Sequence, residues 1–271
     1  MDLSKLHAFE AEIKKHVPTF KIAFKDETPW MKMLGFFAAP FNQKFMTSYT
    51  TTVGNTVYFP SKVAYESNPK SSFTVLAHEF VHMMDSTKYP GWFQFSYALP
   101  QVLAPIAFVA YLAAAHQGWM AAVILAVGII LGCLAAKKSV AFFFVIAGIA
   151  CVAAALVAIL FTHWWSALYF VGLTLLAPWP SPGRTRWELR GYTMSLAVMA
   201  WTYGVPPTVI RDMTAKHFYG PDYFFMSWSR QSVNDALDAA IVKAGNGDLL
   251  PDPAFLIVHE FLLATGDLRI P

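Results

Sequence analysis

The sequence has few charged residues, and their scarcity is concentrated in one region. Only 14% of the 271 residues are charged, whereas about a quarter of the residues are charged in an average soluble domain. Between residues 94 and 180 the only charged side chains are Lys137 and Lys138. So long an apolar stretch predicts a membrane protein with water-exposed flanks, and it makes the lipid bilayer an expected partner.

Cysteine is scarce, and the net charge is small. The two cysteines, Cys133 and Cys151, both lie in apolar runs. This placement indicates buried side chains and predicts neither a disulfide framework nor a cysteine zinc site. The net charge of +3 is too small to indicate nucleic-acid binding. The first ten residues lack the basic start and apolar run of a cleaved signal peptide.

The most informative motif is His78-Glu79-Phe80-Val81-His82. Residues four apart lie on one face of a helix, so both imidazoles can bind one zinc ion while Glu79 acts on a water that the ion holds. A helix is expected here because Asn68 followed by Pro69 is typical of a helix start. The alternative is a solvated helix with two unrelated histidines.

A third ligand is needed, because a catalytic zinc usually has three protein ligands and one position for water. Glu188 is the leading candidate, since it lies on a helical segment that follows the apolar region and returns to the side of the zinc helix. Asp85 is the runner-up, although it can instead accept a hydrogen bond from a ligand imidazole. The remaining candidates are His217 and Asp222.

The apolar region predicts about four transmembrane spans, near residues 95–115, 119–136, 139–161 and 163–179. Two of these are short, so two spans or re-entrant segments are the alternative. With four spans, Lys88, the lysine pair at 137–138 and the arginines after residue 183 all fall on the face that carries the zinc helix. The positive-inside rule then predicts a multi-pass integral membrane protein whose catalytic domain lies on the cytoplasmic face.

The expected fold is a mainly α membrane protein, in which about four transmembrane helices are inserted in a small zincin-like α+β metallopeptidase domain. Residues 1–92 would carry the zinc helix, residues 93–180 the transmembrane region, and residues 181–271 the third ligand. Gly54-Asn55 separates two runs rich in β-branched and aromatic residues, which predicts a β-hairpin. An edge near Val53 to Phe59 is expected to pair with an extended peptide, unless the hairpin only covers the core.

The order of these features resembles the gluzincin-type integral membrane zinc metallopeptidases, and the layout is closest to that of the HtpX family. The resemblance rests on the motif at residues 78–82, the apolar insertion, and Arg184-x-x-x-Glu188-x-x-Gly191-Tyr192; it covers roughly residues 50–90 and 180–205. It implies a zinc site in which the ligands are His78, His82 and Glu188 and the catalytic base is Glu79. A tyrosine or histidine often stabilises the oxyanion in gluzincins, so the further candidates are Tyr192, His217 and Tyr219.

The expected function is that of a membrane-embedded endopeptidase with one Zn²⁺ per chain, which hydrolyses peptide bonds of membrane proteins. Its partner would be a protein or peptide substrate. One alternative is a non-catalytic membrane scaffold with a structural or vestigial metal site, favoured by the Ala- and Gly-rich apolar runs. Another is a metal-dependent hydrolase of a lipid or other non-peptide bond. His259-Glu260 repeats the start of the motif, but Leu263 replaces the second histidine, so an ordinary terminal helix is expected there.

Overall fold

The computed structural model describes residues 1–38, 44–99, 119–136, 140–161, 180–203, 207–220, 226–227 and 229–269. The chain divides into two compact units. The first unit comprises Met1–Gln94, Arg186–His217 and Ser229–Pro271, and the second comprises Phe95–Thr185 and Phe218–Trp228. The leading zinc-ligand candidates, His78, His82 and Glu188, lie in the first unit.

Most of the described residues are helical. The elements up to the motif are α1 (Leu3–His16), β1 (Lys21–Phe24), α2 (Pro29–Ala38), β2 (Thr51–Val53), β3 (Thr56–Phe59), α3 (Lys62–Ser67) and α4 (Pro69–Lys88). The elements that follow are α5 (Trp92–Ala98), α6 (Trp119–Ala136), α7 (Val140–Phe161), α8 (Pro182–Tyr203), α9 (Pro207–Tyr219), α10 (Arg230–Asn246) and α11 (Pro253–Ala264).

The three strands form one sheet with the order β1-β3-β2. Strand β3 pairs antiparallel with β2 and parallel with β1. Gly54, at the turn between β2 and β3, has a φ of 60°, which glycine adopts without strain. The predicted hairpin is therefore confirmed. The edge predicted near Val53 to Phe59 is confirmed only at Val53, which belongs to the outer strand β2; Thr56–Phe59 form the central strand β3, which has a neighbour on each side.

The core of the first unit fixes the rotation of α4. Phe73, Leu76 and Phe80 recur at helical spacing on one face of α4 and are fully buried. The Phe73 ring packs on Phe9 of α1 at 4.6 Å between centroids, and Phe9 packs on Phe261 of α11 at 5.0 Å. Each buried aromatic side chain contributes about 1.5–3 kcal/mol. Because this face is held in the core, α4 directs His78 and His82 toward α8.

Side-chain caps set the start of α4, α10 and α11, and the one at Asn68 is the start that the sequence predicts. The Asn68 side chain accepts a hydrogen bond from the N–H of Ser71 at the start of α4, and Asp252 does the same for Ala254 in α11. Helix α10 begins at Arg230, because Ser229 caps it by accepting a bond from the N–H of Ser232.

In the second unit, α6 and α7 pack against each other through mostly small side chains. The contact surface is formed by Ala121, Leu125, Ala150 and Ala154. A Cβ atom on Gly128 would lie 2.0 Å from the Cβ of Ala150, so glycine at this position permits the close approach of the two helices.

No helix in the described ranges has both the length and the apolar character needed to cross a membrane. The predicted four transmembrane helices are therefore wrong, as are the multi-pass localisation and the cytoplasmic orientation deduced from them. The prediction used apolar content alone, which is the same for a helix facing lipid and for one packed on a neighbouring helix. Residues 100–118 and 162–179, which include most of the first and fourth predicted spans, lie outside the described residues.

Candidate metal centre

Three buried side chains converge between α4 and α8. The Nε2 atoms of His78 and His82, one turn apart on α4, are 3.0 Å from each other. The Oε2 atom of Glu188 on α8 lies 3.4 Å from Nε2 of His78 and 3.9 Å from Nε2 of His82. None of the three residues is more than 8% exposed. Their donor atoms therefore point at one common position.

These separations suit a single zinc ion. In a tetrahedral site with bonds of about 2.0–2.1 Å, two ligand atoms lie about 3.3–3.4 Å apart. The observed distances, from 3.0 to 3.9 Å, bracket that value. Two imidazole nitrogens and one carboxylate oxygen are also the donor set of several catalytic zinc sites, which keep one position for water. The group formed by His78, His82 and Glu188 can thus hold a metal ion.

The charges within this group are coupled. Burial acts to raise the pKa of the Glu188 carboxyl, but hydrogen bonds from His78 and His82 hold that pKa well below its usual range. Burial acts to lower the pKa of His82, yet the Glu188 carboxylate raises it above its ordinary value. Glu188 is therefore an anion, as a metal ligand must be, and a proton competes with the metal for the imidazole of His82.

Ser195 contacts the side of His78 that faces away from the metal position. Its Oγ lies 3.4 Å from Nδ1 of His78 and accepts a hydrogen bond when that nitrogen carries the proton. A proton on Nδ1 leaves the lone pair of Nε2 for the metal, as outer hydrogen bonds do in zinc proteins. Ser195 was not predicted from the sequence. The only local signal was its spacing, seven residues or two helical turns after Glu188, which places both on one face of α8.

Of the three residues predicted to stabilise an oxyanion, Tyr192 lies beside His78, and His217 lies beside Tyr192. The Tyr192 ring meets the His78 ring edge-on, with centroids 4.7 Å apart. On its other side Tyr192 stacks on His217 at 5.5 Å, with the ring planes only 5° apart. Their catalytic role stays a prediction. Tyr219, the third candidate, belongs to the second unit.

Asp85, the alternative third ligand, is bound to an arginine instead. It is 2% exposed, and its Oδ2 accepts a hydrogen bond from Nε of Arg190 at 2.9 Å. The same guanidinium donates to Asp252, the cap of α11, at 3.0 Å. Burial acts to lower the pKa of Arg190, but Asp85 and Asp252 raise it, so the guanidinium stays charged. Asp222 lies outside the described residues.

The remaining predicted residue, Glu79, is close to the group but is not part of it. It is half-buried on α4, and its charge contributes to raising the pKa of His82. Within the part of the chain that the structure describes, no hydrogen bond or ion pair engages its carboxylate. Glu79 is thus available to accept a proton.

Comparison of the chain with protein-family models, with curated proteins and with solved structures gives no match. The resemblance to the HtpX family of metallopeptidases stays a prediction.

Proposed function

We propose that this protein is a zinc-dependent peptide hydrolase in which His78, His82 and Glu188 hold the ion and Glu79 is the general base. The observation that carries the proposal is the convergence of three buried donor atoms within 3.9 Å of one another, next to the Glu79 carboxylate, which forms no hydrogen bond or ion pair with any residue that the structure describes. A structural zinc site normally has four protein ligands. This group has three ligands in the described residues, which supports a catalytic role.

Each residue has a distinct task in the proposed reaction. Zinc, when bound, supplies a Lewis acid that lowers the pKa of water and polarises a carbonyl group. The Glu79 carboxylate accepts the proton of the attacking water and returns it to the nitrogen of the leaving amine. Tyr192, whose ring contacts His78, and His217, which stacks on Tyr192, would donate hydrogen bonds to the developing oxyanion through a hydroxyl and an imidazole N–H. Ser195 and Arg190 act only through other residues, by orienting His78 and holding Asp85.

Zinc content and peptide hydrolysis, measured on the full chain, test the proposal. The wild type is expected to contain one zinc per chain and to cleave a fluorogenic peptide library. The Glu79→Gln variant should keep the zinc and lose about 10²–10⁴-fold in rate, the range of general-base contributions. His78→Ala should lose both zinc and activity.

The second histidine-glutamate pair supplies a matched control. Glu260→Gln changes the same residue type in the same His-Glu dipeptide, on a helix that lacks the second histidine, and it should change neither zinc content nor hydrolysis. The proposal is wrong if zinc-loaded Glu79→Gln cleaves peptides at the wild-type rate. It is also wrong if the wild type binds zinc tightly but cleaves no peptide, which would support a structural metal site.

A further inference from the structure

A cleft of about 740 Å³ lies in the first unit, beside the candidate metal group. Two of its lining residues, Tyr192 and Ser195, also contact His78, one by its ring and the other by its hydroxyl. On α4 the lining continues through Thr74 and Val75, which lie one turn before His78 and Glu79. The cleft therefore reaches the side chains that contact His78.

Part of the cleft lining is apolar. Val75 lines it from α4, Met199 from α8, and Ile210 from α9. Flexible methionine and branched aliphatic side chains adapt to apolar groups of varied shape. A cleft of this volume is large enough for a ligand of several residues, since small-molecule sites occupy about 300–1,000 Å³.

The charged residues lining the cleft have one sign. They are Lys70, in the first turn of α4, and Arg269, which follows α11; the described lining includes no aspartate or glutamate. Arg269 is exposed, and its backbone N–H donates to the carbonyl of Trp201, which holds this segment in place. Lys70 precedes His78 by eight residues, a rise of about 12 Å along the helix.

We propose that the cleft binds the substrate segment adjacent to the cleaved bond, with an apolar side chain near Val75 and Ile210 and a carboxylate near Lys70 and Arg269. An extended peptide advances about 3.3 Å per residue, so about 12 Å corresponds to a carboxylate three or four residues from the cleaved bond. That group is either an acidic side chain or the carboxyl terminus of the substrate. This inference rests on the proposed function for the statement that the bound segment is cleaved.

Peptide binding to the Glu79→Gln protein tests the inference without requiring hydrolysis. The probes are dye-labelled octapeptides with one central leucine. Each peptide carries either glutamate or glutamine, placed three or four residues before or after the leucine. Every peptide is made with a free and with an amidated carboxyl terminus. Fluorescence anisotropy gives the dissociation constants. Peptides with glutamate in at least one of these positions, or with a free carboxyl terminus, should bind about five-fold more tightly than the matching glutamine or amidated peptides, as expected for a partly exposed ion pair. A preference for glutamate identifies an acidic side chain as the source of the carboxylate, and a preference for the free terminus identifies the carboxyl terminus.

Variants of the cleft locate the effect. Lys70→Gln and Arg269→Gln should each reduce the preference, and the double variant Lys70→Glu/Arg269→Glu should reverse it. Ile210→Ser should weaken all leucine peptides about five-fold without changing the glutamate-to-glutamine ratio. Lys88→Gln, at the opposite end of α4 and outside the cleft, serves as the control and should change nothing.

Two results would overturn the inference: equal binding of glutamate and glutamine peptides with either terminus, or a carboxylate preference that survives in the double variant. Either result would leave zinc-dependent hydrolysis intact. Conversely, a chain that binds no zinc but keeps the preference would contradict the proposed function and not the binding site. The two failures are therefore distinguishable.

Discussion

Gly191 lies so close to the His78 imidazole that a Cβ atom at residue 191 would be 2.6 Å from Nε2 and 2.8 Å from Cδ2 of the ring. Contacts shorter than 3.0 Å do not persist, so either the imidazole or the helix would have to move. The absence of a side chain at this position permits α8 to approach α4 and bring Glu188 to the two histidines. The glycine three residues after Glu188 is thus part of the metal centre's geometry.

Gly191→Ala is expected to weaken zinc binding at least ten-fold, because a ligand-atom shift of a few tenths of an ångström disturbs the first coordination shell. Alanine is favoured over glycine within a helix by about 1 kcal/mol, so loss of helix propensity would not explain the result. Zinc affinity is measured by competition with a chromophoric chelator. The control is Gly245→Ala in α10, where an added Cβ meets nothing within 4 Å. Unchanged zinc affinity in Gly191→Ala would contradict this role.

The ion pair between Asp85 and Arg190 holds together the two helices that supply the ligands. Asp85→Asn should destabilise the protein by about 2 kcal/mol, because it leaves the Arg190 guanidinium with Asp252 as its remaining ion-pair partner among the described residues. The partial exposure of Arg190 keeps this free-energy cost below that of breaking a fully buried pair. Arg190→Met should cost a similar amount. The double variant should cost less than the sum of the two, with a coupling of about 1–2 kcal/mol in urea unfolding.

The more exposed pair of Arg211 and Asp238, at 3.2 Å, is the matched control for that cycle. Its coupling should be below about 1 kcal/mol. If the Asp85–Arg190 coupling were no larger than this value, the pair would have no special part in joining α4 to α8. Zinc affinity should fall in Asp85→Asn as well, because the two helices would be less firmly held.

Local signals in the sequence predicted the local structure of the site. The Asn68-Pro69 start of α4, the paired histidines and the Gly54 turn each depend on residues within a few positions, and the structure contains all of them. Glu188 was expected near the histidines from its position after the apolar region. By contrast, the bond between Asp85 and Arg190 joins residues 105 positions apart, and nothing in either segment alone indicates it.

In the apolar region, composition alone leads to a wrong prediction of transmembrane spans. A run without charges has the same hydropathy whether it faces lipid or a neighbouring helix, and the pairing of α6 with α7 through Ala121, Ala150 and Ala154 depends on three-dimensional packing. The close approach at Gly191 is another such case. Glycine in a helical segment indicates only a weaker helix, and its packing reason appears only when His78 is in place.

Glu188→Gln tests the charge coupling within the metal group. The amide keeps the shape of the side chain but removes the anion, so zinc affinity at neutral pH should fall by about 100-fold. In the zinc-free protein the pKa of His82 should decrease, because the Glu188 carboxylate is what raises it against burial. Histidine titration followed by NMR measures this change. A pKa of His82 that stays the same in Glu188→Gln would contradict the assigned cause.

Lys25 provides a pH-dependent stability that is independent of the metal. Its side chain is fully buried, and Nζ donates to the carbonyl oxygen of Phe45 at 2.7 Å and lies 3.8 Å from the centroid of the Phe45 ring. Burial lowers the pKa of Lys25 from 10.5 to about 8. Between these values the unfolded chain binds a proton that the folded chain has lost. The free energy of unfolding should therefore rise as pH increases from about 8 to 10.5.

The size of that rise follows from the gap between the two pKa values and amounts to about 3 kcal/mol. Urea unfolding at closely spaced pH values measures it. In Lys25→Met the rise should disappear, and the variant should be more stable than the wild type at pH 7, because it no longer buries a charge. Lys21→Met, an exposed lysine at the start of β1, should leave the rise in place. A wild-type profile that matches that of Lys25→Met would show that Lys25 is solvated in the folded protein.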